Sequence, residues 1–152
     1  YVDSNLFVFP ELYRGRKATY ARYGLALLAL GHFQGYTCIL TIDEVCWKIW
    51  QERGVEEAVK VSRGILRFPN LAIVPLTRED ALRAIGYVKR FGLRPRDSIH
   101  LSAMKEIGVG EIVSDDADFD RVGWAKRYEF GAFVATFPAD AVKEAKRVWG
   151  SA

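Results

Sequence analysis

Acidic residues are unusually dense in residues 111–120, which read EIVSDDADFD. The apolar pair Ile112 and Val113 favours a short buried strand, and Asp116 and Asp118 lie in the acidic run that follows it. Two carboxylates ~5 Å apart repel by roughly 3 kcal/mol at an effective dielectric of ~20, so a fold needs solvation, shared protons or a hard cation to hold them together. The segment therefore predicts a ligand site at the carboxyl end of a strand, where open α/β sheets place such sites.

Three further acids stand at positions that lead to the same edge of the predicted sheet. Asp3 follows the end of a first strand, Glu44 lies in the first turn after a second strand, and Asp97 begins the helix before the acidic segment. Because strand carboxyl ends and helix amino ends share one edge of a parallel sheet, these side chains are expected to converge with Asp116. Four acids in a chain with two histidines indicate a hard cation with oxygen ligands, Mg²⁺ or Mn²⁺.

Each of these acids also has a purely structural interpretation. Asp3 can cap the helix after the first strand, and Glu44 can close a capping box with Thr41. Asp97 can act only as a partner for the dipole of its own helix, and Asp118 can be a solvated loop acid. A calcium loop of the EF-hand type is excluded, because arginines occupy its glycine and glutamate positions.

The order of the predicted elements indicates one α/β domain over residues 1–152 with a mainly parallel sheet. Apolar runs predict strands, and stretches with helical periodicity and capping signals lie between them. The predicted strands are residues 1–2, 37–40, 71–74, 112–113 and 130–136. The predicted helices are residues 6–9, 14–33, 41–52, 55–68, 77–91, 97–107 and 139–149.

Several residues beside these acids are assigned to packing. His100 lies one turn after Asp97 in a mostly apolar helix, so the sequence favours a core histidine over a ligand. Trp47 and Trp50 share the helix of Glu44, and an apolar contact or an oligomer face is favoured over base stacking.

Composition narrows the function classes only a little. The 152 residues carry a net charge of +3, which is compatible with a nucleic-acid partner without requiring one. Cys38 and Cys46 lack CxxC spacing, so we expect reduced thiols in a cytoplasmic protein. No apolar run approaches the ~20 residues that a membrane-spanning helix needs, and we expect no membrane partner.

Four segments together resemble the PIN domain family, and they are most similar to the VapC-type toxin ribonucleases of bacteria and archaea. They read VDSNLFVF at residues 2–9, TIDEV at 41–45, RPRDSIHLSAMKEIGV at 94–109 and EIVSDDADFD at 111–120, in the order and spacing of the family. The resemblance implies a three-layer sandwich, in which helices flank a central, mainly parallel sheet of four or five strands. It covers nearly the whole chain, apart from residues 120–152, which match no motif of the family.

The resemblance also implies an activity and a set of partners. These are endonucleolytic hydrolysis of RNA phosphodiester bonds with one or two Mg²⁺ or Mn²⁺ ions, and restraint by a small antitoxin protein; a homodimer is compatible with the sequence. The matching positions give Asp3, Glu44, Asp97 and Asp116 as catalytic residues. The expected metal ligands are Asp3, Asp97, Asp116 and Asp118. Asp43 adjoins Glu44, so either residue can supply the second acid.

Polar and basic residues near the acids are given supporting roles. Asn5 and Ser114 are expected to orient the acids or to contact the phosphate. Cations near the acids are expected to guide the RNA backbone, with ordinary solvated charge as the alternative. These cations are Arg14, Arg16, Lys17, Arg94 and Arg96.

Three other functions stay open at the level of sequence. A PIN nuclease that processes RNA outside a toxin system would differ in having no neighbouring antitoxin gene. A catalytically inert PIN module that only binds partners is disfavoured, because all four acids are present. A phospho-receiver module also uses Mg²⁺ and strand-end acids, but it needs an acceptor aspartate after the third strand, where residues 74–76 read VPL.

Overall fold

A computed structural model describes residues 1–150, in which short strands alternate with helices. The helices are Ser4–Leu12 (α1), Arg16–Ala29 (α2), Leu40–Arg53 (α3), Val55–Leu66 (α4), Arg78–Phe91 (α5), Pro95–Glu106 (α6), Phe130–Val134 (α7) and Ala139–Gly150 (α8), with a 3₁₀ helix at Ala117–Arg121. The strands are Gly35–Cys38 (β1), Leu71–Val74 (β2), Glu111–Val113 (β3) and Lys126–Tyr128 (β4). Within the described residues, no helix is both long and apolar enough to cross a membrane.

All strand pairs in residues 1–150 are parallel, and the amino-terminal residues join them into one sheet. β1 pairs with β2, and β3 pairs with β4. Residues 1–3 lie between the two pairs, because the Val2 amide donates to the Tyr36 carbonyl and Val2 forms a parallel bridge with Val113. The order across the sheet is therefore β2, β1, residues 1–3, β3 and β4. This confirms the predicted α/β class with a central parallel sheet.

Helices cover both faces of this sheet, because successive residues of a strand point to opposite faces. Val2 and Val113 pack in one core with residues of α1, α2, α3 and α4. Tyr1 and Ile112 pack in the other core, with residues of α6 and the 3₁₀ helix. The result is a three-layer sandwich whose strands all end at the same edge.

One predicted element has the wrong type, and several have different boundaries; for example, the helix predicted at 14–33 spans Arg16–Ala29 and the strand predicted at 37–40 spans Gly35–Cys38. Residues 130–136 do not form the last strand, since they hold α7, and the last strand is β4. Within residues 1–150, β4 pairs only with β3, and it carries Lys126 and Arg127, so an apolar pattern does not mark it. Phe130 and Val134, by contrast, lie one helical turn apart and are buried. The first helix is also longer than predicted, because α1 continues through Pro10.

Candidate metal centre

Asp3 lies where the amino-terminal strand ends, and its carboxylate contacts both α1 and the end of β3. Oδ1 accepts a hydrogen bond from the Ser4 amide at 2.7 Å, which caps α1, and Oδ2 accepts one from the Ser114 hydroxyl at 2.6 Å. Burial raises the pKa of the Asp3 carboxyl, and the nearby His100 and Ser114 only partly oppose that effect. The residue therefore caps its helix and lines the edge of the sheet at the same time.

Ser114, directly after β3, connects the polar groups of two strand ends. Its fully buried hydroxyl donates to Asp3 and accepts hydrogen bonds from Asn5 Nδ2 and from the Asp116 amide, both at 3.0 Å. A serine hydroxyl has one hydrogen to donate and two lone pairs, so its hydrogen-bonding capacity is fully used. Ser114 thereby holds the Asp3 carboxylate and the Asp116 backbone in a defined relative position.

Replacing Ser114 by alanine is expected to lower the free energy of unfolding by about 1–3 kcal/mol, because buried partners lose a hydrogen bond. Ser62→Ala is a matched control, since the Ser62 hydroxyl is buried without a partner among the described residues. We expect the control to stay within about 0.5 kcal/mol of the parent protein. Urea denaturation of the metal-free proteins measures both values, and equal losses would contradict the role assigned to Ser114.

Glu44, in the first turns of α3, is oriented by a histidine of α6. Its Oε2 lies 2.8 Å from His100 Nε2, which is 3.9 Å from Asp3 Oδ1. Burial by itself raises the pKa of Glu44, but the hydrogen bond and charge of His100 outweigh burial and leave the pKa below its ordinary value. The predicted capping box is wrong, because the Thr41 hydroxyl bonds to the Thr37 hydroxyl at 2.7 Å and no side chain caps α3.

His100 is buried as the sequence predicted, with 1% of its surface exposed, but it also connects the core to the acids. The Tyr1 phenol oxygen accepts from the Cys38 amide at 2.9 Å and lies 2.9 Å from His100 Nδ1. With Nδ1 at the phenol, Nε2–H is the group that donates to the Glu44 carboxylate. Burial lowers the pKa of His100, yet its hydrogen bonds to Cys38 and Glu44 raise it well above the ordinary value. The sequence signal for this role is its position one turn after Asp97 on the same helix.

Asp97, Asp116 and Asp118 form a second acidic group, whose carboxylate oxygens lie within 4.8 Å of one another. Asp97 lies in the first turn of α6, and Asp116 caps the 3₁₀ helix by accepting from the Asp118 amide at 2.9 Å. Burial, followed by the negative charge of Asp116, raises the pKa of Asp97 to about 6. Asp97 Oδ2 is buried and has no hydrogen-bond partner within residues 1–150.

This second group fits a divalent cation. A buried carboxylate oxygen without a donor, beside two like-charged side chains, gains both a bonding partner and charge compensation when a cation binds. Carboxylate donors with no thiolate among them suit Mg²⁺ or Mn²⁺. The negative charges of Asp3 and Glu44 also raise the pKa of Asp97, so the two groups lie near each other.

The structure divides the predicted ligands differently from the sequence-based set. Asp97, Asp116 and Asp118 are brought together, whereas Asp3 has ligand atoms within 4.8 Å of Glu44 and His100. The four acids predicted to be catalytic thus occupy two adjacent groups. A cation in either group lies beside carboxylates of the other.

Arg94 and Arg96, at the start of α6, lie beside the acidic residues. Arg94 NH1 lies 3.9 Å from Asp116 Oδ2, and Arg96 NH2 lies 3.7 Å from Asp43 Oδ2. The Asp43 side chain is 65% exposed, whereas that of Glu44 is 14% exposed and faces His100. Between the two alternatives for the second acid, the geometry therefore favours Glu44.

The three predicted cations before and within α2 do not share one location. Lys17 forms an ion pair of 2.9 Å with Asp115, directly beside the acidic groups. The guanidinium of Arg16 lies over the ring of Tyr20. Arg14 instead lines a separate cleft with residues of α1 and with Arg22 and Arg53.

Comparisons with known proteins were made for the sequence and for the fold. A family model described as "PIN domain" matches residues 1–125, a range that contains all the acids of both groups. A solved structure titled "Toxin-antitoxin complex from Klebsiella pneumoniae" contains a similar chain, with a TM-score of 0.58 and 17% sequence identity. The alignment covers 85% of this chain and 95% of that chain, and at this identity it bears on the fold alone. No curated protein matches the sequence.

Proposed function

The chain belongs to the PIN domain family, and from this premise we propose that it is a divalent-metal-dependent endoribonuclease and the toxin of a toxin–antitoxin pair. The observation that carries the proposal is the buried, unpartnered Oδ2 of Asp97 beside Asp116 and Asp118. A protein that binds no cation has no need of that arrangement, because uncompensated acids lower its stability. The similarity to a chain of a toxin–antitoxin complex supports the second half of the proposal.

The residues of the two groups divide the work of phosphodiester hydrolysis. Asp97, Asp116 and Asp118 would hold the principal Mg²⁺ or Mn²⁺ ion, and Asp3 would complete its surroundings. When bound, the cation would neutralise charge at the scissile phosphate and acidify the attacking water. Glu44, held in place by His100, would orient that water.

Two neighbours support this machinery without holding the ion. Ser114 keeps Asp3 and Asp116 in register through its hydrogen bonds. Arg94, which is mostly exposed beside Asp116, would contact the phosphate that follows or precedes the cleavage point.

An exposed apolar face supports a protein partner. Trp47 and Trp50 are about half exposed, at 49% and 51%, and their ring centroids lie 5.9 Å apart on α3. Val55 and Val59 on the adjoining α4 are exposed as well. Such a patch is the expected surface for an antitoxin or for a second copy of the chain.

The experiment that tests the proposal is cleavage of an unstructured RNA in Mn²⁺, in Mg²⁺ and in EDTA. We expect cleavage with either cation, none in EDTA, and a loss of at least about 100-fold in Asp116→Asn. Asp140→Asn, the same chemical change on the exposed first turn of α8, should retain full activity. A crystal soaked in Mn²⁺ should show the ion ~2.0–2.3 Å from oxygens of at least two of Asp3, Asp97 and Asp116.

Three results would contradict the proposal. Absence of Mn²⁺- or Mg²⁺-dependent cleavage by the parent protein, or cleavage that Asp116→Asn leaves unchanged, would show that this acidic centre does not hydrolyse RNA. An ion bound only at Asp118 and Asp120, away from Asp3, Asp97 and Asp116, would contradict the proposed metal centre. Growth arrest that is relieved by a co-expressed neighbouring gene would separate a toxin from an RNA-processing enzyme of the same family.

A further inference from the structure

Two adjoining clefts lead away from the candidate metal centre along α2. The larger, of about 600 Å³, lies between α2 and the segment that contains α7 and α8, and the smaller, of about 310 Å³, continues it. Arg16, Tyr20 and Gly131 line both clefts. The smaller cleft also reaches Lys17 and Asp115, which directly precedes Asp116. The two clefts therefore form a continuous path that ends beside the acids; we call the larger one the tyrosine groove.

Cations and aromatic rings alternate along the tyrosine groove. Arg16, Tyr20 and Tyr23 are spaced four and three residues apart, so they share one face of α2. The Arg16 guanidinium lies 5.9 Å from the centroid of the Tyr20 ring, and Lys146 Nζ of α8 lies 5.8 Å from that of Tyr23. The two rings meet edge to face with centroids 6.3 Å apart, and both are partly exposed.

The charge of the groove has one sign. Among the described residues, its lining includes the cations Arg16 and Lys146 and no acid. The acids on the path, Asp115 and Glu129, belong to the smaller cleft, where Lys17 pairs with Asp115. The positive charge of the groove therefore favours a polyanion, which would encounter both cations and acids only near the metal centre.

Such a surface suits single-stranded nucleic acid. Cations bind the phosphates of the backbone, while aromatic side chains offer faces and edges to unstacked bases of any sequence. A protein segment rich in acids would use the cations but would have no use for the tyrosine rings. Because the groove continues to the metal centre, the nucleic acid bound in it would be the same strand that is cleaved there.

We infer that the tyrosine groove binds the single-stranded RNA substrate beyond the scissile phosphate, with a base against Tyr20 and Tyr23 and phosphates on Arg16 and Lys146. This inference rests on the proposed ribonuclease function and names a substrate-binding subsite for it. Gly131 permits the close wall on one side, since an added Cβ would lie 3.3 Å from the Tyr20 ring. The wall formed by α7 and α8 lies beyond residue 125, where the family match ends, whereas Arg16, Tyr20 and Tyr23 lie within the matched range.

The test is fluorescence anisotropy with a labelled, unstructured 12-nucleotide RNA in EDTA, where cleavage does not interfere. We expect Lys146→Glu to weaken binding about tenfold and Tyr23→Leu about five- to tenfold. Lys143→Glu is the matched control, because Lys143 is exposed on the same helix and does not line the groove. It should change the affinity by less than about twofold. Since Lys146 is exposed, its variant is expected to fold even if Tyr23→Leu does not.

Several outcomes would overturn the inference. Equal weakening by Lys146→Glu and Lys143→Glu would show only a general charge effect. If a folded Tyr23→Leu protein binds RNA as tightly as the parent, no base contacts the tyrosine rings. If polyglutamate at equal charge concentration displaces the RNA, the groove binds an acidic protein segment instead. Failure of the wild-type protein to cleave RNA in Mn²⁺ would contradict the ribonuclease proposal instead. The anisotropy would still measure whether the tyrosine groove binds RNA.

Discussion

Asp97→Asn is expected to abolish RNA cleavage and, at neutral pH, to make the metal-free protein more stable. The amide keeps the shape of the carboxylate but is a poor ligand for Mg²⁺ or Mn²⁺, so activity should fall at least about 100-fold. The charge that the amide removes is unfavourable without a cation, because Asp97 Oδ2 is buried, unpartnered and close to other acids. The same substitution therefore separates function from stability.

The pH dependence of stability shows why the substitution should stabilise the metal-free protein at neutral pH. The pKa of Asp97 is about 6 in the folded protein against an ordinary 3.8, so the folded state binds the proton more tightly than the unfolded state. Protonated Asp97 thus contributes stability below about pH 4, and that contribution is lost as the pH rises through about 6. Two pKa units correspond to about 3 kcal/mol, which solvent screening and the lost helix-dipole interaction reduce to about 1 kcal/mol.

Thermal melts of the parent and of Asp97→Asn in EDTA, between pH 4 and pH 8, measure this effect. We expect the parent to lose stability relative to the variant between about pH 4 and pH 6, and to stay below it at pH 7. Asp140→Asn, an exposed acid in the first turn of α8, should track the parent throughout. A variant that is less stable than the parent at pH 7 would show that Asp97 serves mainly the dipole of α6.

Glu44→Gln is expected to lose at least about 100-fold in metal-dependent cleavage while it melts within a few degrees of the parent. The carboxamide oxygen of Gln can still accept the hydrogen bond from His100 Nε2, so the buried imidazole keeps its partner. No capping box is lost, because none is formed at the start of α3. The reason for inactivity would then be the missing negative charge in the cleft.

Asp43→Asn is the matched control for Glu44→Gln. Asp43 precedes Glu44, is largely exposed and pairs only loosely with Arg96 at 3.7 Å. We expect its variant to retain activity within about twofold, since exposed ion pairs contribute little. RNA cleavage at saturating Mn²⁺ measures both variants, and the reverse order of activities would transfer the second acidic position to Asp43.

The sequence by itself predicted that several acids meet at one edge of a parallel sheet, and it determined the fold class that carries them. Alternation of short apolar runs with helical periodicity is a local property, so the strands before Asp3, before α3 and before Ser114 are predictable without a tertiary structure. In a parallel sheet those strand ends share one edge, and the start of α6 with Asp97 lies there as well. The family motifs cover the same positions, all of which lie within residues 1–125, where the family model matches.

The tertiary structure decided everything that depends on contacts between distant segments. β4 was not predicted because this edge strand depends on pairing with β3 and has no apolar pattern of its own. Thr41 and Glu44 have the spacing of a capping box, but Thr41 hydrogen-bonds to Thr37 and Glu44 to His100. A buried polar group bonds to whichever partner the fold brings within reach.

The division of the acids into two groups and the path to the tyrosine groove have the same physical origin. A sequence shows that a carboxylate stands at a strand end, but the few ångströms that decide which carboxylates share a cation follow from side-chain packing across the whole sheet. The groove likewise needs α2 and α8, whose lining residues Arg16 and Lys146 are separated by most of the chain. Local patterns therefore specify the chemistry that is available here, and packing between distant elements decides which groups act together.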